Sequence, residues 1–371
     1  MKILSDFNAV IGPFVQVCDV VSDSVDMIQA GGGNASAKYE ASEAQYMMIK
    51  ASGFLMSEVD EVKGYATMDL SKIISILEAV EAGDISIEDE TKINALVTEA
   101  NMGTLRPSIE TFLHAMLPQR FVLHVHALTT LVYASSKRFV QDLERQWQGG
   151  NPFEGVLLVR YEKPGIHLAM AMKEGITRYN QMYAHSPEVI ILQNHGLIVS
   201  SDSAEDLLKQ IILIEEQIKK LMGLADDFDR SYREQTKLKS ALRKVFPKKK
   251  LCVRFNEDRD LVEYTDGRPS FPDALVFCGL EPLHYEAEET QSLETLLEDY
   301  KSQYDDFPKV ILYKSHVYFC GESIKKCLEV QDVLKIQWIL RRELGEDLMT
   351  LSDEQAYTLL NWEAEKYRKN L

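Results

Sequence analysis

Short aliphatic runs separated by longer stretches of helical spacing set the pattern of the first two thirds of the chain. Gln45-Tyr46-Met47-Met48-Ile49-Lys50 and Arg120-Phe121-Val122-Leu123-His124-Val125-His126 read as strands. Val156-Leu157-Leu158-Val159 and Val189-Ile190-Ile191-Leu192 are aliphatic throughout, which suits strands buried on both faces. Two helices are predicted between and after them. One covers Ser108 to Met116, with Pro107 at or just ahead of its first turn. The other covers Ser203 to Leu224, with Asp202 or Ser203 as N-cap and carboxylates in its first turn, where the helix end is partly positive. A turn at Gly31-Gly32-Gly33 leads into a short segment, 34–40.

The pattern restarts after an acidic stretch, Asp226-Asp227-Phe228-Asp229-Arg230, and a basic run from Lys244 to Lys250 around Pro247. Charge runs of this kind read as solvated linker or helix-end surface. Beyond them Ala274–Cys278, Val310–Tyr313 and His316–Cys320 read as strands, and Ser323–Leu344 and Asp353–Tyr367 as helices. Two domains are therefore expected: residues 1–245, and a smaller α/β domain over 246–371. A length of 371 residues agrees, since single domains run to roughly 100–200. No repeat at a fixed period stands out. Neither Gly31-Gly32-Gly33-Asn34 nor any segment of the second domain fits the G-x-G-x-x-G fingerprint, so no dinucleotide site is expected.

Charge narrows the partners. The sum 41 − 58 gives −17, with a pI near 5.0. Such a surface repels phosphate backbones and anionic lipid, which argues against nucleic-acid and membrane partners. An anionic substrate needs a local positive site. No apolar run approaches the roughly 20 residues that span a bilayer, and Met1-Lys2-Ile3-Leu4-Ser5-Asp6 does not resemble a secretory leader. The five cysteines are odd in number and form no C-x-x-C pair, as in a reducing compartment. A cytoplasmic protein is expected.

The histidines carry the candidate chemistry. His124-Val125-His126 puts two imidazoles on one strand, and alternate residues of a strand share a face. A third, His195, follows an aliphatic run and is flanked by Gly196, where a sharp turn is possible. Three neutral imidazoles with an open position describe a catalytic zinc site. Glu110, in Arg106-Pro107-Ser108-Ile109-Glu110-Thr111, sits just upstream of the H-x-H strand. It reads as ligand, as general acid/base, or as a first-turn carboxylate that stabilises a helix start. His114, one turn on, reads as a supporting or core residue. His167, His185, His284 and His316 show no partner pattern and read as structural. An anion site is the other candidate. Gly31 to Lys38 offers backbone N–H groups, the Asn34 amide, the Ser36 hydroxyl and the Lys38 ammonium, and Lys50-Ala51-Ser52-Gly53 adds a second small-residue turn. Two ordinary tight turns account for the same residues.

Gly33-Asn34-Ala35-Ser36, Ser52-Gly53, Pro107-Ser108-Ile109-Glu110, His124-Val125-His126 and Asn194-His195-Gly196 follow one another as in the class II aldolase/adducin family. The resemblance spans roughly residues 8–225. It is nearest to the aldolase half of two-part rhamnulose-phosphate aldolase/dehydrogenases, with the dehydrogenase half expected to be absent. The resemblance implies an αβα sandwich around a central, mostly antiparallel sheet, and a homo-oligomer, tetramer or dimer, with sites at subunit borders. By position it makes His124, His126 and His195 the ligands of Zn2+ or another divalent metal, and Glu110 the catalytic carboxylate. It makes Asn34, Ser52, Gly53 and Ser108 the phosphate cradle, to which Ser36 and Lys38 are added here. The implied activity is aldol cleavage of a ketose 1-phosphate or related sugar derivative through a metal-bound enediolate. Epimerase, decarboxylase and dehydratase chemistry within the family, and an adducin-like scaffold without chemistry, are the alternatives. One departure stands out: Ser108-Ile109-Glu110 replaces the usual Ser-Ser-Glu, so one phosphate-binding hydroxyl is missing. An unphosphorylated or carboxylated substrate stays open, and Lys38 is a candidate to compensate.

Overall fold

The computed structural model describes residues 6–225, 228–258, 261, 268–286, 291–314 and 316–361. The start of the chain, Asp226-Asp227 of the acidic stretch and residues 362–367 of the last expected helix lie outside the described residues. The chain divides into two compact units, Met1–Arg230 and Ser231–Leu371.

The first unit opens with α1 (Phe7–Asp23), whose N-cap Asp6 accepts from the Ala9 N–H. Strands β1 (Asn34–Ala41), β2 (Ala44–Lys50) and β3 (Tyr65–Asp69) follow, then α2 (Leu70–Glu81), α3 (Glu90–Glu99) and the short α4 (Thr111–Ala115). Next come β4 (Phe121–Val125), α5 (Leu128–Ala134), α6 (Lys137–Arg145), β5 (Val156–Val159), α7 (Ile166–Tyr183), β6 (Val189–Leu192), β7 (Gly196–Ser201) and α8 (Ala204–Met222). The sheet runs β3-β2-β1-β4-β7-β6-β5. Only β5 and β6 pair in parallel, which is why a helix, α7, must carry the chain between them. The two-residue turn from β1 to β2 uses Ser42 and Glu43 at φ 49° and 66°, the twist that a tight hairpin needs.

Alternation along the strands builds two cores. Ala35, Ala37, Leu123, Val125, Leu197 and Val199 pack with α1, α5 and α8. Met47, Ile49, Val122, Leu157, Ile190 and Ile198 pack with α2, α4 and α7 on the other face. The result is the αβα sandwich with a mostly antiparallel sheet. The segment 34–40, left unassigned by its sequence, is the central strand β1. The helix expected from Ser108 starts only at Thr111, because the Ser108 hydroxyl takes the Glu110 N–H and the Ser108 carbonyl takes the Thr111 hydroxyl. That local turn competes with helix and holds Glu110 at the N-cap, φ −95° and ψ 10°.

The second unit contains α9 (Arg230–Val245), β8 (Cys252–Phe255), α10 (Pro272–Cys278), β9 (Leu283–Tyr285), α11 (Leu293–Tyr304), β10 (Val310–Tyr313), β11 (His316–Gly321), α12 (Ile324–Leu344) and α13 (Asp353–Asn361). Its sheet runs β8-β11-β10-β9. The border lies before α9 and not at 245/246, because Leu238, Ala241, Leu242 and Val245 of α9 fill the core of this unit. The basic run is thus partly the last turn of a packed helix. Ala274–Cys278, expected as a strand, is the helix α10. Pro272 and Asp273 in its first turn favour helix, and a five-residue apolar run suits either state. Among the described residues no helix is long and apolar enough to cross a membrane.

Candidate metal centre

His124 stands near the end of β4, and His126 is the second residue on, facing the same way. Their Nε2 atoms are 3.1 Å apart. His195 arrives from the β6–β7 turn, where Asn194 adopts the left-handed conformation at φ 52°. The ligand atoms of His124, His126 and His195 all lie within 4.8 Å of one another. Tetrahedral zinc with Zn–N of 2.0–2.1 Å sets nitrogens about 3.3 Å apart, so this donor set fits one ion with small ring rotations. The His124 Nδ1–H donates to the Leu197 carbonyl at 3.1 Å, which fixes the ring and turns the Nε2 lone pair toward its neighbours. Burial lowers the His126 pKa and takes that of His124 down to about 4, which keeps these two imidazoles neutral, the form a metal ion requires.

Glycines let the backbone close in. A Cβ on Gly196 would fall 2.4 Å from the Val125 carbonyl oxygen and 3.1 Å from His124 Cε1. A Cβ on Gly32 would meet His126 Nδ1 at 2.9 Å. Both glycines are contact surfaces for the imidazole rings as well as turn residues.

Glu110 faces the histidines. Its Oε1 is 3.0 Å from His195 Nε2 and 3.5 Å from His124 Nε2. The Asn34 amide donates to Glu110 Oε2 at 2.9 Å and to the Ser108 hydroxyl at 2.6 Å. Burial raises the Glu110 pKa, but the His124 and His195 imidazoles and the Asn34 amide outweigh it, and the carboxyl is held below its ordinary range. Glu110 is therefore ionised.

A cleft of about 260 Å³ opens beside these groups. Gly31 to Asn34, Lys50, Ser52, Gly53, Arg106 to Glu110 and His126 line it. A family model described as the Class II Aldolase and Adducin N-terminal domain matches residues 15–221, more than half of the chain. The chain belongs to this family. The Bacillus subtilis protein YuxG, described as an uncharacterized oxidoreductase, is 25% identical over 310 residues, covering 75% of this chain and 42% of its own length. The chain thus spans less than half of that relative. The N-terminal class II aldolase domain of a Thermoplasma acidophilum protein shares 21% identity with a TM-score of 0.47, over 59% of this chain and 96% of that one. A Thermotoga maritima sugar-phosphate aldolase shares 12% identity with a TM-score of 0.38, over 58% and 96%.

In this class II aldolase unit the structure brings Asn34, Ser52, Gly53, Ser108, Glu110 and His126 to one cleft, with His124 and His195 next to Glu110. Ser36 and Lys38 do not belong there. The segment after Gly33 is the strand β1, which advances about 3.3 Å per residue, so Lys38 stands about 13 Å along from Asn34. Ser36 instead meets His114 Nδ1 at 2.8 Å, and Lys38 donates to the Gln119 carbonyl at 2.9 Å. His114 is a fully buried core residue. The cations in the cleft are Lys50 and Arg106. Both flank motifs already singled out, and their alternation relative to Ser52 and Ser108 was the signal to find them. Lys50 is 3% exposed, donates to the Phe54 carbonyl at 2.8 Å, and has its pKa lowered by burial.

Proposed function

We propose that the protein is a metal-dependent aldolase that cleaves a ketose 1-phosphate or a related sugar-derived anion. The observation that carries this reading is the meeting of three clustered imidazoles with one buried carboxylate at a cleft lined by two cations. A divalent ion, zinc foremost, would be held by His124, His126 and His195, and when bound it supplies Lewis-acid polarisation of the substrate carbonyl. Glu110 takes and returns the proton at the carbon that becomes the nucleophile, a role served by its ionised state and its Asn34 hydrogen bond. Asn34 also holds Ser108, so one amide sets the distance between the proton acceptor and the anion site. The anionic group of the substrate lies against Gly31 to Gly33, Ser52, Gly53 and Ser108, with Lys50 and Arg106 supplying the charge. The buried Asn34 Oδ1 has no protein partner among the described residues, which leaves an acceptor for a substrate hydroxyl. Ile109, 66% exposed, stands where family members carry a second hydroxyl.

The long relative described as an oxidoreductase, of which this chain spans 42%, supports correspondence to the aldolase part of two-part aldolase/dehydrogenases. A product assay on a panel of ketose phosphates and their unphosphorylated and carboxylated analogues, with zinc present, tests the function. Release of an aldehyde and a three-carbon ketone from one of them is the expected result. Epimer or carbon dioxide formation without cleavage would overturn the aldolase assignment.

A further inference from the structure

The second unit repeats part of the first. Its sheet order β8-β11-β10-β9 matches β4-β7-β6-β5. In both, the successive pairings are antiparallel, antiparallel and parallel. The helices follow suit. α9 precedes β8 as α4 precedes β4, α11 carries the parallel crossover as α7 does, and α12 follows the last strand as α8 does. The faces agree as well. α9 and α11 share a core with Val253, Ile311 and Tyr318, as α4 and α7 do with Val122, Ile190 and Ile198. α10 and α12 share the other with Val317 and Phe319, as α5 and α8 do with Leu197 and Val199. Traces survive in the sequence: Pro187-Glu188-Val189-Ile190 against Pro308-Lys309-Val310-Ile311, and the N-caps Ser203 and Ser323. A hairpin turn shorter by one residue in the second unit breaks any fixed period.

The ladders align the second sheet with the first position by position. Ile198 pairs with His124, and its counterpart Tyr318 pairs with Phe255. Phe255 therefore stands at the position equivalent to His124, and Glu257, two residues on, at that of His126. A carboxylate–imidazole contact remains at the same end of the sheet. Glu234, on the helix before β8, lies 2.9 Å from His316 Nδ1 at the start of β11. It parallels Glu110, ahead of β4, at 3.0 Å from His195. The surroundings have turned polar. Tyr285 and Tyr313 stand where the ladders put Val159 and Leu192 in the first unit, their rings stacked at 5.1 Å. Lys237, exposed and one turn after Glu234, donates to both phenol oxygens at 3.4 Å. Tyr318 donates to Glu234. Among the described residues neither the Tyr285 nor the Tyr313 proton has an acceptor, and His316 Nε2 has no partner.

We propose that this cluster is a second, metal-free binding site for a small hydroxylated organic anion. The Lys237 ammonium and the two phenol protons take the anionic group. The His316 ring is oriented by Glu234 through Nδ1, so its Nε2 accepts from a hydroxyl of the ligand. Phenols in place of aliphatic side chains, beside an exposed lysine and a part-exposed histidine at one end of the sheet, suit a ligand better than a core.

The test is a titration of the full chain, with histidines carbon-13 labelled at Cε1, using glycerol 3-phosphate and glycerate as the phosphate and carboxylate probes. His316→Gln assigns the His316 signal. We expect saturable movement of that signal with at least one probe, and the stronger probe names the anion class. Lys237→Met, at an exposed position that should not affect folding, is expected to weaken binding about tenfold or more, the loss of a charge-assisted hydrogen bond. Tyr313→Phe, which keeps the stacked ring, is expected to weaken it less. A His316 signal unmoved by both probes overturns the proposal, as does movement that is identical in Lys237→Met. Because the readout is local to His316, neither result depends on the fate of the metal centre.

Discussion

Gly196→Ala probes the construction of the metal centre without touching a ligand. The added methyl would sit 2.4 Å from the Val125 carbonyl oxygen, well inside contact distance, with His124 Cε1 at 3.1 Å and His126 Cδ2 at 3.2 Å. The Val125 oxygen belongs to the β4 backbone between two ligands and cannot retreat alone, because β4 is paired on both edges, with β1 and β7. Relief must come from moving β7 away from β4 or from tilting the rings. Overpacking of this kind costs about 1–3 kcal/mol of stability. Ring displacement should weaken metal binding by about 10–100-fold, the range found when the support of a ligand is disturbed. Gly31→Ala is the matched control. It lies in the same cleft, with nothing within 4 Å of its added Cβ, and should be silent in both readouts. Urea unfolding and a competitive metal titration against a chromophoric chelator measure the two quantities. If Gly196→Ala keeps wild-type metal affinity, the close packing around the imidazoles does not position them, and the account of the site is wrong.

Glu110→Gln should keep the metal and lose about 10²–10⁴-fold in turnover, because Gln preserves size but accepts no proton; steady-state rates with metal analysis check it. Arg106→Ala should raise KM for an anionic substrate with little change in kcat, whereas Lys38→Met should leave KM unchanged, since Lys38 lies in the sheet away from the cleft; initial-rate kinetics separate the two. Glu215, whose pKa burial pushes up to about 7 against the hydrogen bonds from Thr130 and Thr129, should make stability pH-dependent. A raised folded-state pKa means the native state binds the proton more tightly, so this contribution is complete below about 4.5 and is lost as pH rises through about 7. Glu215→Gln should abolish that loss, gaining no more than about 3 kcal/mol above pH 7 in urea titrations.

The fold class and the clustering of the three histidines were both legible in the sequence. His124 and His126 could be paired from strand alternation, and Glu110 from its place ahead of that strand, because those relations are local in sequence. Strands β2, β4, β5 and β6 showed as apolar runs. β1 did not, because Asn34, Ser36 and Lys38 put polar side chains on one face of a central strand, each hydrogen-bonded to a partner far along the chain: Glu110, His114 and the Gln119 carbonyl. The same concealment put Ser36 and Lys38 in the wrong place. Ala274–Cys278 misled because a short apolar run carries no periodicity, and Pro272 decided the matter. The internal repeat escaped because its copies share strand order and facing cores while differing in turn length and in nearly every polar residue.

Elemental analysis of protein purified without chelator tests the central claim most directly. One divalent ion per chain, zinc foremost, is expected, and none in His124→Ala. Protein without stoichiometric metal that also fails to take up zinc when it is added would contradict it.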